Sequence, residues 1–232
     1  MPLSSLVITG ANRGIGLETV RRFLEDPDWQ VIATCRNPDT ASDLQALQAR
    51  HGARLELHAL DVGDAASVAQ FADALSGRAV DVLLNNAGVM GAHQSLEEID
   101  FDAWLSEFDV NTLGPMRLAL ALRPNLALSV APRIMTISSQ MGSMARPRGG
   151  SYAYRSSKAA VNKAMQGLSL DLAEAGVCVV VVHPGWVRTD MGGSGADISV
   201  EQSAAGIHRL ALDLTLADSG RFLTYTGEDH PW

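Results

Sequence analysis

Short apolar runs recur at residues 6–9, 31–34, 55–60, 80–84, 134–137, 177–182 and 222–225, and helix-length segments separate most of them. The run VCVVVV at 177–182 is apolar at successive positions and rich in β-branched residues. Such a strand is covered by helices on both faces, whereas a half-exposed strand would alternate. Strand and helix patterns alternate from residue 6 to residue 182 with no Ser/Pro linker or break in composition. This predicts one α/β domain over residues 1–232, built on a doubly wound parallel sheet of about seven strands flanked by helices. Segment 97–130 is predicted to be helical, interrupted at Gly114, Pro115 and Pro124. Segment 151–175 reads as another long helix, with Gly176 as its C-cap. Loops 89–94, 140–150 and 191–199 are rich in Gly, Met and Ser, and loops at the carboxyl ends of parallel strands form the ligand crevice of such a fold.

Composition narrows the field. With 47% hydrophobic and 19% charged residues, the chain is neither a disordered tail nor a coiled coil. A net charge of −8 disfavours nucleic acid or an anionic membrane as a partner, while leaving room for one basic pocket around a phosphate. No stretch approaches 18 uninterrupted apolar residues, and the N-terminus lacks a basic leader ahead of a long apolar segment. Cys35 and Cys178 match no metal spacing and are too few for a disulfide scaffold. A cytoplasmic protein without metal is the expectation.

The first strand runs into TGANRGIG at residues 9–16 and then into a helix beginning near Gly14. Gly10 permits a tight turn, Gly14 lets backbone amides approach a pyrophosphate, and Gly16 lets helix and strand pack closely with the helix N-terminus facing the anion. A tight strand-to-helix turn without a ligand has the same glycine pattern. About 20 residues on, where NAD-binding chains commonly carry an acid, stands Arg36. A guanidinium there can pair with a 2′-phosphate, and Arg13 can close from the other side. These features predict NADP(H) in preference to NAD(H), unless both arginines are merely solvated charges. Asp61 is either an adenine contact or the N-cap of the next helix.

Tyr154 and Lys158 are four apart within a predicted helix and so share one face. Tyrosine occurs three times in the chain and lysine only at 158 and 163, so the pairing brings two scarce residue types together. A phenol titrates near 10, but an ammonium ~4 Å away contributes on the order of 4 kcal/mol at an effective dielectric of ~20. The expectation is a lowered Tyr154 that donates a proton to a carbonyl receiving hydride, or takes one from an alcohol.

The residues TGxxxGxG at 9–16, NNAG at 85–88, Asn111 in DVNTLG, Ser139 in ISS, YxxxK at 154–158 and PGWVRTD at 184–190 resemble the short-chain dehydrogenase/reductase family, in the family's order over nearly the entire chain. TCRN at 34–37, YAYRSSKAAVN, HPGWVRTDMGG and the terminal PW are similar to the Sniffer-like and C-factor-like NADPH-dependent carbonyl reductases of that family. The resemblance implies a single-domain Rossmann fold and hydride transfer between NADP(H) and a small carbonyl or alcohol substrate. It implies that Tyr154 is the general acid/base, that Ser139 holds the substrate oxygen, and that Lys158 contacts the nicotinamide ribose. Asn111 would support a water in the proton relay. Ser138 competes with Ser139, and Asn111 can equally be a stabiliser of an irregular helical turn. For the cofactor the resemblance implies Gly10, Asn12, Arg13, Gly14, Ile15, Gly16 and Arg36 around the phosphates. Asp61, Val62, Asn86, Ala87 and Gly88 would lie beside the adenosine and riboses. Asn111, Tyr154 and Lys158 would join them, and Pro184, Gly185, Val187 and Thr189 would fix the carboxamide for pro-S transfer.

No HExxH, GxSxG or GK[ST] pattern is present, which removes the motifs of zinc proteases, serine hydrolases and P-loop nucleotidases. Met90, Met141, Met144, Trp186 and Met191 fall in or beside the crevice loops, predicting an apolar, adaptable pocket for ketones, aldehydes or quinones. Arg146 and Arg148 argue against that by offering contacts for a carboxylate. Tyr152 reads as packing or pocket wall, and His183 as structural. By resemblance the chain pairs through segments 113–129 and 151–175 into a homodimer or homotetramer. The alternative function is an NADP(H)-binding redox-sensing or signalling protein with little turnover.

Overall fold

The computed structural model describes residues 3–91 and 96–232. Positions 92–94 of the first expected ligand loop fall outside the described residues. Seven strands form one sheet: β1 (Ser4–Ile8), β2 (Trp29–Cys35), β3 (Leu55–Ala59), β4 (Val82–Asn85), β5 (Arg133–Ile137), β6 (Cys178–His183) and β7 (Phe222–Thr224). Their order is β3-β2-β1-β4-β5-β6-β7, and all neighbouring pairs are parallel. The chain winds outward from β1 in one direction and from β4 in the other. The switch point between them is where a crevice opens at the carboxyl ends of the strands.

The helices that cover the sheet are α1 (Gly14–Glu25), α2 (Ser42–His51), α3 (Ala65–Ala74), α4 (Phe101–Phe108), α5 (Gly114–Ala121), α6 (Arg123–Leu126), α7 (Tyr152–Asp171) and α8 (Val200–Asp213). Successive strand residues alternate between two cores. Leu6, Ile8, Val180 and Val182 pack with Phe23 of α1, Leu44 of α2 and Ile207 of α8. Val7, Val179 and Val181 pack with Phe71 of α3, Leu118 of α5 and Met165 of α7. The apolar residues at every position of β6 from Cys178 to Val182 are therefore used, each burial contributing on the order of 1.5–3 kcal/mol.

The segment predicted as one interrupted helix over 97–130 is shorter and broken elsewhere. Asp100 accepts hydrogen bonds from Asp102 N and Ala103 N at 2.9 and 3.0 Å, so α4 starts at Phe101. A π-helical turn, Asp109–Leu113, separates α4 from α5. Pro115 and Pro124 fall in the first turns of α5 and α6, where a missing N–H is tolerated. Gly114 is needed because a Cβ there would lie 2.9 Å from Val62 Cγ2. Helix α7 also ends earlier than expected, at Asp171. Gly176, at φ +71°, instead terminates the turn whose N–H groups return to Leu172 O and Ala173 O before β6 begins.

Candidate active site

The crevice, of about 250 Å³, runs from the glycine turn after β1 to the middle of α7. At one end Gly10 adopts φ +64°, and a Cβ on it would lie 2.9 Å from Ala87 Cα. A Cβ on Gly16 would meet Gly10 O and, at 2.6 Å, Asn86 Nδ2. Side chains are thus excluded where the turn, α1 and the segment after β4 converge. Thr9 Oγ1 accepts from Asn86 N and Ala87 N at 3.0 and 2.9 Å, and Asn86 Nδ2 donates to Thr9 O and Gly10 O at 2.8 and 3.1 Å. No side chain caps the N-terminus of α1 and its first turn carries no acid, leaving the helix end suited to an anion.

Arg36 stands exposed at the end of β2 on the crevice wall and takes part in no ion pair among the described residues. Arg13 is also on the wall, but its guanidinium pairs with Asp190 at 2.9 Å with both side chains largely exposed, a link across the crevice that costs little to break. Asn12, Ile15, Asp61, Val62 and Gly88 line the same wall. Asp61 does not cap the next helix: Asp64 accepts from Ala66 N at 3.0 Å in that role, while Asp61 Oδ1 accepts from Gly63 N at 2.9 Å. An uncapped helix end, a side-chain-free cradle and an unpaired guanidinium at the far wall fit a phosphorylated dinucleotide such as NADP(H).

Four expected cofactor positions, Gly14, Asn111, Gly185 and Val187, do not line the crevice. A Cβ on Gly14 would lie 3.4 Å from Thr189 Cγ2. Gly185 has φ +88° and abuts Ile198, and Val187 is buried in a bridge with Ile198. They shape the segment that brings Pro184 and Thr189 onto the wall, where Ser203 Oγ anchors Pro184 O at 2.7 Å. Sequence reading missed Cys35, Leu60, Val89, Val110, Ile137 and Asp190 as lining residues. Most are apolar ends of strands and turns whose local pattern equals that of the core.

At the other end, Tyr154 and Lys158 project together from α7, 8% and 4% exposed. Lys158 Nζ lies 5.7 Å from the centroid of the Tyr154 ring and donates to Ile137 O at 3.0 Å. Ser139 follows β5 beside the phenol, close enough to stabilise its phenolate form, and its Oγ accepts from Met141 N at 3.1 Å. Ser138, and not Ser139, lines the crevice, but its hydroxyl donates to Asn162 Oδ1 at 2.6 Å, whereas Ser139 is the serine that acts on the phenol.

Electrostatics differ from expectation. Burial pushes Tyr154 up to about 12, and the charge of Glu107 adds to the rise, while Ser139 opposes it. Burial lowers Lys158 to about 8 against the raising effect of Glu107. The expected lowering of Tyr154 fails because desolvation outweighs it and the ammonium is tied to Ile137 O rather than to the phenol oxygen. Glu107, invisible in the sequence as one more acid on a helix, is 4% exposed.

Asn111 sits in the π-helical turn, fully buried, and does not line the crevice. Its Oδ1 accepts from Val89 N at 2.8 Å, and its Nδ2 donates to Val89 O at 2.8 Å and Ser157 Oγ at 3.0 Å. It thereby fixes the segment after β4 against α7. Of the expected pocket residues, Met191 lines the crevice, whereas Met141 belongs to a separate cavity of about 230 Å³ with Arg146, Arg148 and Arg155. Met90, Met144 and Trp186 are exposed. Tyr152 stacks on Trp104 at 6.4 Å. His183 accepts from Gln140 N at 3.3 Å and is held down to about 4, chiefly by burial. Among the described residues no group of His, Cys, Asp and Glu could hold a metal ion, and no helix is long and apolar enough to cross a membrane.

Comparison with known proteins agrees with this geometry. The carbonyl reductase Sniffer of D. melanogaster superposes with a TM-score of 0.93 at 31% identity, covering 99% of this chain and 100% of that one. An NADPH-bound carbonyl reductase from chicken fatty liver gives 0.93 at 34% identity, covering 100% of both chains. C-signal of Myxococcus xanthus is 44% identical over 154 residues, 66% of this chain and 93% of that protein. The short chain dehydrogenase family model matches residues 4–197, and with it the shared sheet order, glycine turn and YxxxK helix establish that the chain belongs to the short-chain dehydrogenases.

Proposed function

We propose that this chain is an NADP(H)-dependent carbonyl reductase acting on apolar or aromatic ketones, aldehydes or quinones, with NADP(H) preferred over NAD(H). The observation that carries the reading is the convergence of Tyr154 and Lys158 at one end of a crevice whose other wall bears the unpaired Arg36, with Ser139 beside the phenol just behind the lining. When bound, NADPH supplies the hydride. Tyr154 keeps its proton up to about 12, so at neutral pH the phenol is an acid able to donate to a carbonyl oxygen. Ser139 Oγ–H donates to the same oxygen as negative charge develops there. Lys158, anchored by Ile137 O, is placed to offset charge left on the phenolate. Asn111 keeps the Val89 backbone in place and so acts as a positioning residue. Val89, Val110 and Met191 support an apolar substrate.

Exposed Leu113 and Leu120 support pairing into a homodimer or homotetramer through the outer helices. Buried, unpaired Cys35 and Cys178 and the net charge of −8 support a cytoplasmic location with neither nucleic acid nor membrane as partner. The second reading, a redox-sensing or signalling protein with little turnover, draws on the similarity to C-signal.

The test is turnover of NADPH and NADH with a panel of aromatic ketones, aldehydes and quinones by wild type and Tyr154→Phe. The expected result is NADPH-favouring turnover that falls by ~10²-fold or more in the variant, with cofactor binding retained. NADPH binding without turnover in either protein would move the sensing function ahead.

A further inference from the structure

Glu107 is the one buried carboxylate near the reacting groups among the described residues, and nothing in the family motifs accounts for it. It lies on α4, one turn before Asn111, and the two side chains hold consecutive parts of one backbone segment. Asn111 takes Val89 N and O, while Glu107 Oε1 accepts from Gly91 N at 2.9 Å. The same segment reaches from Lys158 to Glu107: a Cβ on Gly88 would lie 3.2 Å from Asn111 Oδ1 and 3.4 Å from Lys158 Nζ, and one on Gly91 2.9 Å from Glu107 Oε1. Trp104 Nε1, donating to Ser156 Oγ at 3.0 Å, pins α4 to α7 at this level. Glu107 Oε2 is buried without a hydrogen-bond partner among the described residues. A carboxylate that needed only to hold Gly91 could be an amide, since one oxygen suffices. Leaving the second oxygen unpaired costs about 1–3 kcal/mol or more.

We propose that Glu107 is a positioning residue for proton transfer: its buried carboxylate is the counter-charge that keeps Lys158 an ammonium beside the Tyr154 phenol. An isolated ammonium in a water-poor site loses its proton, and a fixed opposite charge offsets that tendency without occupying the hydrogen bond to Ile137 O. The groups facing the pair from each packed element are few. On α7 itself Lys158 and Tyr154 face one another, after β5 stand Ile137 O and the Ser139 hydroxyl, and the segment after β4 offers the Gly91 N–H. Among the described residues Glu107 of α4 supplies the only opposing side-chain charge acting on Lys158. Burial raises Glu107 itself, while Gly91 and Lys158 hold it down.

The proposal rests on Tyr154 and Lys158 as the proton path, but it can be read without turnover. Lys158 and Lys163 are the only lysines, so ¹³C-lysine labelling yields two side-chain signals, assigned with Lys163→Arg. Lys158 Cε is expected to titrate near 8 in wild type, roughly 1 pH unit lower in Glu107→Gln, and close to wild type in Glu107→Asp, with Lys163 unmoved throughout. An unchanged Lys158 midpoint in Glu107→Gln overturns the proposal, whatever that variant's activity. The reciprocal measurement covers a Gln variant that does not fold. In Lys158→Met the ¹³Cδ midpoint of Glu107 rises by the same shift, because coupling between two titrating groups is mutual, and no rise is equally fatal.

Discussion

Gly142 offers a way to move Ser139 relative to Tyr154 without touching either. It ends the short turn Gln140–Gly142 that follows Ser139, and it packs directly on α7. A Cβ there would stand 2.6 Å from Lys158 C, 2.8 Å from Lys158 Cβ and 2.9 Å from Ala159 N. Its φ lies outside the left-handed region, so alanine meets contact but no backbone strain. The nearest of these atoms is backbone inside a twenty-residue helix and cannot swing away. Turn and helix must therefore separate by roughly 0.8 Å to reach ordinary van der Waals contact, at an overpacking cost of ~1–3 kcal/mol. Asn162, which links the two through Ser138 Oγ and Gly142 O, resists that separation. A misplacement near 1 Å between reacting groups costs ~10²-fold in rate, so kcat of Gly142→Ala is expected to drop by about that factor. The dissociation constant for NADPH should stay within about twofold, since the phosphate cradle lies across the crevice. Steady-state kinetics with the best wild-type substrate, alongside cofactor titration by fluorescence, makes the comparison. A kcat within threefold of wild type would refute the claim that this contact sets the distance between Ser139 and Tyr154.

Arg36→Ala is expected to weaken NADPH binding by ~10–100-fold and NADH binding far less, as loss of a charge-assisted contact requires; equal losses in a calorimetric titration would count against Arg36 as the 2′-phosphate partner. Arg13→Ala should have a smaller effect, because its guanidinium is exposed and already shared with Asp190. His183 is held down to about 4 by burial, so the unfolded chain takes up a proton below about 6.5 that the folded chain refuses until about 4. Stability is then full above that range and falls as pH drops through it, by at most about 3 kcal/mol. Urea midpoints between pH 4 and 7 should flatten in His183→Asn. Glutamates at Leu113 and Leu120 together should convert an oligomer to monomer in light scattering; a wild-type mass equal to one chain at all concentrations would remove the proposed pairing.

What the sequence made legible depended on whether the signal was local. All seven strands were visible because each carries a short cluster of apolar residues, continuous in β6 and interrupted by Glu56 and His58 in β3, and the glycine turn and the YxxxK pair because their spacing is itself the signal. The π-helical turn was legible only through Asn111, read as one of two roles as the stabiliser of an irregular turn, while Gly114 and Pro115 pointed to a break just beyond residues 109–113, where the chain places it. The direction of the Tyr154 shift was misjudged for a related reason: four-residue spacing reports that Lys158 is near, but the dry surroundings are built by β5, the segment after β4 and α4. Glu107 carried no signal in the sequence because only tertiary packing reveals that its turn of α4 faces α7. Asp61 and Asp64 both suit an N-cap, and only their hydrogen bonds tell them apart.

The anchoring of Lys158 to Ile137 O means that ammonium, phenol and serine all hang from one contact, the end of β5 against the middle of α7. That contact lies inside the sheet's central hydrogen-bonded block, with Ile137 paired to Val182 in β6. Regions of this kind open only when the whole molecule does, whereas surface loops open locally at much lower free energy. The amides of β5 and of α7 around Lys158 should accordingly be among the slowest to exchange with deuterated solvent. Heat should abolish chemistry and native structure in a single step, even if the outer lip of the crevice at residues 191–199 loosens at lower temperature.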